Sequence, residues 1–170
     1  MDFEGIYRKS GPLTQVNRII AAVNEGQDSV QMEDEMSGDY VDIMAVTSIV
    51  KQFFRELPDP LVPYAFYDQL TQCVRDLPAD EPTDAVGARL AAIVRRFPRG
   101  HYTTLRYLIR HLANIAAFED VNKMSRSNLG VVFGPTVMRP RSGDALADMA
   151  DIGIKSQVVE LLIAHVATCF

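Results

Sequence analysis

Residues 4–11 of the 170-residue chain read E-G-I-Y-R-K-S-G. This segment places Arg8 between Gly5 and Gly11, just ahead of an amphipathic helical pattern. A guanidinium stays charged at any cellular pH, and its rigid fork of donors suits phosphate oxygens better than a lysine does. On the segment alone, an Arg-Lys pair in a polar loop is also typical of a solvated surface.

Two further motifs follow along the chain. Residues 50–61 read V-K-Q-F-F-R-E-L-P-D-P-L, and residues 122–135 read N-K-M-S-R-S-N-L-G-V-V-F-G-P. In this order the three motifs resemble the RhoGAP family, whose pattern runs E-G-[IL]-[FY]-R-x-S-G, then L-K-x-[FY]-[FL]-R-E-L-P-[ED]-P-L, then N-K-M-x-x-x-N-L-A-x-[VI]-F-x-P. Val50 stands where that family usually has leucine, and Gly130 stands where it usually has alanine. The resemblance covers nearly the whole chain.

Composition predicts one soluble globular domain over residues 1–170. The chain is 48% hydrophobic and 23% charged, which argues against disorder, and it is long enough to bury a substantial core. Its formal net charge of −5 argues against general nucleic-acid binding, which depends on clustered Lys and Arg. Cys73 and Cys169 predict no disulfide framework, and no His or Cys pattern has metal-ligand spacing.

No segment predicts a membrane span or a secretory leader. The apolar run at residues 158–170 contains Glu160 and His165 and is too short to cross a bilayer. Met1 is followed by acidic residues rather than by a basic and then an apolar stretch. We therefore expect a cytoplasmic domain, with any membrane recruitment made through regions outside this chain.

Helical periodicity dominates and alternating strand patterns are scarce, so the sequence predicts an all-α helical bundle. Pro12 predicts the start of a first helix with an apolar stripe. A later helix is expected to run from a Ser125 cap to a break at Gly134-Pro135. Further helices are predicted over residues 43–57, 64–77, 83–97, 101–118 and 152–168.

The segment 25–42 contains seven acidic residues and no Lys or Arg, together with Gly and Ser. This composition predicts a mobile, acidic surface loop, to which we assign no chemistry.

The helix of the second motif has apolar residues at positions 43, 46, 49, 50, 53, 54 and 57, which mark a broad buried face. Thr47, Lys51 and Arg55 lie opposite, four residues apart, so Lys51 and Arg55 are predicted to present two positive charges together. A solvated face, or a structural pair of Arg55 with Glu56, is the alternative. Asn128 in the third motif is able either to tie helices together or to contact a partner.

The resemblance implies an enzyme regulator rather than an enzyme: a domain that binds the GTP-bound form of a Rho-family small GTPase and activates it in trans. Arg8 matches the family's catalytic arginine finger. Lys51 and Arg55 match its basic pair, which is expected to support the finger loop and contact the GTPase. Asn128 matches its interface asparagine. GTP and Mg²⁺ would belong to the partner, and this chain contains no G-x-x-x-x-G-K-[ST] motif.

Members of the family normally have a helix and a connecting segment ahead of the finger motif. This chain starts three residues before that motif, so the resemblance predicts that the first helix is missing.

Two other functions remain as alternatives. A catalytically silent module with the same fold would bind a GTPase or a phosphorylated ligand, although its usual mark is loss of the finger arginine. An autonomous hydrolase using His101 or His165 as a base lacks a nucleophile motif or an accompanying acid at recognisable spacing. The preferred Rho subfamily depends on surface contacts that short motifs do not encode.

Overall fold

The computed structural model describes residues 3–26, 33–34, 39–40, 42–78, 80–141 and 145–170. The predicted all-α fold is confirmed, with one short antiparallel β pair added. In chain order the elements are α1 (Leu13–Asn24), β1 (Glu33–Asp34), β2 (Asp39–Tyr40), α2 (Ile43–Glu56), α3 (Tyr64–Arg75), α4 (Thr83–Val94), α5 (Arg99–Ala116), α6 (Glu119–Asn122), α7 (Arg126–Val137), α8 (Ala145–Ala150), α9 (Ile152–Ala164) and α10 (Val166–Cys169).

Proline directly precedes the first residue of four helices: α1, α3, α4 and α5. The proline ring fixes φ near the helical value and removes an N–H that has no partner at a helix start. At α1 the carbonyl oxygen of Pro12 accepts from the backbone N–H of Val16 at 3.1 Å. The helix start predicted at Pro12 is therefore confirmed.

Helix α9 lies in the centre of the bundle and packs against α7, α3 and α5. Its approach to α7 is so close that only glycine fits. A Cβ atom on Gly130 would lie 2.4 Å from the carbonyl oxygen of Ser156, and one on Gly134 would lie 2.7 Å from the carbonyl carbon of Lys155. The buried apolar residues of α9 are Val158, Val159, Leu162 and Ile163.

Lys155 of α9 is fully buried and makes an ion pair with α8. Its ammonium group donates to the Asp148 carboxylate at 2.7 Å and to the Asp148 backbone carbonyl at 2.9 Å. A buried charge needs such partners, because transfer from water to an apolar interior is costly. The pair therefore ties α8 to α9.

The prediction that Pro135 ends its helix was wrong, because α7 continues to Val137. Pro135 and Val131, the residue four positions earlier, are both exposed. The carbonyl group that the proline leaves without an N–H partner therefore faces the solvent side of the helix. Gly134, about 100° around the helix from Pro135, lies directly on the backbone of α9.

The predicted last helix is interrupted at His165, where φ is −107°. The interruption separates α9 from α10 and turns α10 onto α4. The Sγ atom of Cys169 then lies 3.7 Å from the carbonyl oxygen of Gly87.

The predicted acidic loop falls mostly outside the described residues. Within it, β1 and β2 pair in antiparallel register, with Glu33 opposite Tyr40. At its end, the Asp42 carboxylate caps α2 by accepting from the backbone N–H of Met44 at 2.8 Å.

Across the described part of the chain, no helix combines the length and the apolar character that crossing a membrane requires. In the same residues, no group of His, Cys, Asp or Glu is arranged to hold a metal ion. Cys73 and Cys169 are free thiols.

We predict that Gly134→Ala destabilises the domain by about 1–3 kcal/mol, because the added methyl group forces α7 away from α9. Urea denaturation followed by circular dichroism measures the change. Gly153→Ala, at the second residue of α9, is the control: its Cβ meets nothing within 4 Å, so helix propensity alone should stabilise the domain by at most about 0.5–1 kcal/mol. Equal effects of the two variants would contradict the close contact.

We also predict an asymmetry in the Lys155–Asp148 pair. Asp148→Ala leaves a buried ammonium without its counter-ion and should cost about 3 kcal/mol. Lys155→Met should cost much less, because the Asp148 side chain is 40% exposed and can be hydrated. The same denaturation experiment compares them, and a larger loss in Lys155→Met would be inconsistent with the proposed pairing.

Candidate functional site

Residues 4–9 form a compact turn that buries Gly5 and Tyr7 and exposes Arg8. The backbone N–H groups of Arg8 and Lys9 both donate to the carbonyl oxygen of Gly5 at 2.9 Å. Gly5 has a φ of 75° and Tyr7 a φ of 69°. This left-handed region is open to glycine but costs other residues on the order of 1–2 kcal/mol. The conformation of Tyr7 must therefore be held by its surroundings.

Helix α2 supplies one of these supports, a buried lysine. Lys51 is 9% exposed, and its Nζ atom donates to the carbonyl oxygen of Tyr7 at 2.5 Å. Burial, with the nearby charge of Arg55 as a second cause, lowers the pKa of Lys51. The hydrogen bond fixes the peptide group that joins Tyr7 to Arg8.

The prediction for the faces of α2 was wrong in two respects. Thr47 and Lys51 were expected to face solvent, yet they are 3% and 9% exposed. Phe53 was expected to face inward, yet it is 58% exposed. Consequently Lys51 and Arg55 do not present two charges together, and only Arg55 is exposed. The polar side of the helix is covered by the turn before α1 and by α7, which a search for apolar periodicity does not reveal.

The side chain of Tyr7 is anchored by two further helices. Its ring meets the ring of Phe133 from α7 edge-on, with 4.9 Å between centroids. Its hydroxyl group forms a hydrogen bond of 2.9 Å with Nε2 of His111 from α5. Burial raises the pKa of Tyr7 to about 12 and lowers the pKa of His111, so both groups are neutral at pH 7.

The start of the third motif holds the other end of the turn. The Asn122 carbonyl oxygen accepts from the Gly5 N–H at 2.8 Å. Asn122 is fully buried; its side-chain amide donates to the Ile115 carbonyl, and its side-chain oxygen accepts from the Met124 N–H, each at 2.8 Å. Lys123 follows in the left-handed region, with φ 59°. This network connects the turn to the link between α6 and α7.

Gly11 marks the point at which the chain passes over the start of α2. Its N–H donates to the hydroxyl oxygen of Ser48 at 3.1 Å. A Cβ atom at Gly11 would lie 2.1 Å from the backbone nitrogen of Ala45, so no other residue fits without movement of the chain. The turn that carries Arg8 is thus bracketed by two glycines with different roles: Gly5 adopts a left-handed backbone conformation, and Gly11 allows a close approach to α2.

The predicted site residues fall into two groups. Among the residues that the structure describes, the exposed guanidinium groups of Arg8 and Arg55 make no hydrogen bond or ion pair. Lys51 is turned inward, and the half-buried Asn128 donates through Nδ2 to the Lys123 carbonyl at 3.0 Å. The N–H of Asn128 also donates to the Ser125 hydroxyl oxygen at 3.2 Å, which confirms the predicted helix cap.

Arg139 is a structural contributor that sequence reasoning missed. Its guanidinium group donates to the carbonyl oxygens of Arg55, Leu57 and Pro58 at the end of α2, and to the Tyr64 hydroxyl. A cation placed at a helix carboxyl terminus is stabilised by the helix dipole. Arg139 therefore fixes the end of α2, where Arg55 lies.

Tyr7 and His111 were also missed as members of the site. Tyr7 lies beside the arginine within the first motif, but a motif match does not show which atoms it contacts. His111 lies at the edge of an amphipathic pattern more than a hundred positions away. Only the packing of α5 against the turn brings the two together.

The family of this chain is shown by its similarity to known proteins. A family model described as the RhoGAP domain matches residues 1–142. The chain is 35% identical to GEM-interacting protein from Mus musculus and 36% identical to Rho GTPase-activating protein 15 from Gallus gallus, in each case over 100% of its length. It spans only 18% and 34% of the length of these two curated relatives.

Solved structures agree with this relationship. The crystal structure of human Rho GTPase activating protein 15 aligns with a TM-score of 0.84 at 31% identity, covering 99% of this chain and 76% of that one. The BH domain from GRAF, the GTPase regulator associated with focal adhesion kinase, aligns with a TM-score of 0.77 at 28% identity, covering 99% and 85%. From its motifs, its fold and these matches, the chain belongs to the RhoGAP domain family.

Proposed function

We propose that this chain is a GTPase-activating domain that stimulates GTP hydrolysis by Rho-family small GTPases and supplies Arg8 in trans. The proposal rests on one contrast at Arg8: the backbone is firmly held, whereas the guanidinium group at the end of the side chain is exposed. The backbone around Arg8 is bound by α2 and by the link before α7, and the Tyr7 side chain beside it is bound by α5, whereas the Arg8 guanidinium group is exposed and makes no bond to the described residues. Family membership supplies the class of partner.

The chemistry explains why an arginine is needed. During transfer of the γ-phosphoryl group, negative charge develops on the β–γ bridging oxygen and on the transferred oxygens. A guanidinium placed there neutralises this charge through two donors in a fixed fork, which a single ammonium cannot reproduce. Such a finger accelerates hydrolysis by roughly 10³ to 10⁵, which is about 4–7 kcal/mol of transition-state stabilisation.

The other predicted residues take supporting roles in this proposal. Lys51, bonded to the Tyr7 carbonyl, supports the finger loop from within. Arg55, exposed on the same helix, is available for contact with the GTPase. Asn128 lies near the loop, since its side chain donates to the Lys123 carbonyl, and its proposed role is a hydrogen bond to the switch region of the GTPase.

The nucleotide chemistry itself belongs to the partner. GTP, Mg²⁺, the attacking water and the glutamine that orients it would all lie in the GTPase, which must be in its GTP-bound state. The domain is then a regulator in cytoplasmic signalling rather than an enzyme with its own substrate. In this arrangement one protein supplies a positive charge that the active site of another protein lacks, as in other cases of an arginine supplied in trans.

We predict that Arg8→Ala lowers the maximal rate of GTP hydrolysis by at least about a thousandfold, with binding largely retained. Single-turnover hydrolysis on GTP-loaded members of the Rho and Rac subfamilies, with the domain in excess, gives both the maximal rate and the half-saturating concentration. Arg8→Lys should restore little of the rate, because it lacks the fork of donors.

Arg106→Ala is the matched control, an exposed arginine about 140° around α5 from His111, and it should leave the maximal rate unchanged. Binding without acceleration by the unmodified domain would reject the activator function and favour a silent binding module.

Lys51→Met is predicted to lower the maximal rate by about tenfold to a hundredfold, because the carbonyl group of Tyr7 loses its donor and the loop loosens. It keeps the length of the side chain while removing the ammonium group. Gln52→Met on the same helix is the control, since among the described residues the Gln52 amide bonds only to the exposed Glu56, at 2.8 Å. An equal fall in both variants would show that loss of α2 stability, rather than loss of the loop bond, explains the result.

A further inference from the structure

The hydrogen bond between Tyr7 and His111 joins the arginine-bearing turn to a helix far along the chain. The Tyr7 hydroxyl oxygen lies 2.9 Å from Nε2 of His111, and the two rings meet edge-on at 83° with 5.8 Å between centroids. Tyr7 is 5% exposed, so its hydroxyl group needs a partner within the protein. Both groups are neutral at pH 7, and the tautomer of His111 decides which one donates.

The position of Tyr7 gives this bond its importance. Tyr7 directly precedes Arg8 and has a φ of 69°, a conformation from which an unsupported tyrosine would relax. Relaxation would rotate the peptide group that leads into Arg8 and move the base of its side chain. A displacement of about 1 Å at a catalytic group is enough to lower a rate by about a hundredfold.

The anchors of Tyr7 act on different parts of the residue. Lys51 binds the carbonyl group, and Phe133 contacts the ring. A phenylalanine at position 7 would keep both of those contacts. The bond to His111 therefore acts on the side-chain tip alone, and it fixes the position of that tip, and with it the turn, against α5.

We propose that His111 is a positioning residue for Arg8, acting through the hydroxyl group of Tyr7. This role rests on the proposed arginine-finger function. It assigns to His111 an effect on the chemical step, because the geometry of Arg8 matters most when charge develops on the phosphoryl group. Affinity for the GTPase depends on the wider surface and should change little.

The experiment measures the maximal single-turnover rate and the half-saturating concentration with GTP-loaded Rho and Rac subfamily members. Tyr7→Phe and His111→Leu should each lower the maximal rate by about tenfold, with the half-saturating concentration within about threefold of the unmodified domain. The double variant should be no slower than either single variant, because both remove the same bond. His111→Gln, whose amide can donate or accept, should restore the rate to within about threefold.

Two controls separate positioning from general stability. His101→Leu removes another histidine bond of α5, the 3.1 Å contact with the Leu61 carbonyl, and should lower the thermal unfolding midpoint without changing the maximal rate. Arg8→Ala reports on the finger itself. Unfolding midpoints of all variants confirm that each is folded at the assay temperature.

Three results would overturn the proposal. If Tyr7→Phe and His111→Leu keep the full rate while Arg8→Ala loses it, the bond is only structural and the finger still stands. If His101→Leu loses as much rate as His111→Leu, loosening of α5 is the cause. If Arg8→Ala keeps the full rate, the finger function fails, and the positioning role fails with it.

Discussion

The backbone of Tyr7, held at a φ of 69° directly before an exposed arginine, is the constraint on which the candidate site depends. A bulky residue does not stay in this region unless its neighbours over-determine it. Here the neighbours come from three helices: Lys51 of α2 bonds to the carbonyl group, His111 of α5 to the hydroxyl group, and Phe133 of α7 contacts the ring. The base of the arginine is rigid because distant parts of the chain meet at one residue.

The position of those helices depends in turn on the centre of the bundle. Gly130 and Gly134 let α7 lie directly on the backbone of α9, and this contact sets the depth at which Phe133 meets the turn. Asn122, at the end of α6, satisfies the Gly5 N–H. Fixing the backbone at the base of a side chain removes part of the reorganisation that its charged group would otherwise need, which favours electrostatic stabilisation of a transition state.

Most helices could be predicted from the sequence, because apolar spacing and capping residues are local patterns. The three motifs are local patterns as well. Ser125 is an example: a serine directly before a helix caps it by accepting a hydrogen bond from a backbone N–H of the first turn, whatever packs nearby. The predictions from sequence were wrong where contacts between distant parts of the chain decide which side of a helix is buried or where a helix ends. Phe53 is exposed and Lys51 buried because the turn and α7 cover the polar side of α2. Pro135 stays within α7 because its own side faces solvent, while the adjoining side of the helix, at Gly130 and Gly134, lies against α9.

The sequence by itself determined the family and the all-α class and made Arg8 the candidate arginine, since residue types at fixed short spacing carry that information. Only the tertiary structure decided which side chains hold that arginine. Tyr7 and His111 are separated by 104 positions, and no local pattern relates them. Their contact arises because burying the apolar face of α5 also brings its half-buried edge against the turn, and a hydrogen bond between two neutral groups forms only within that short distance.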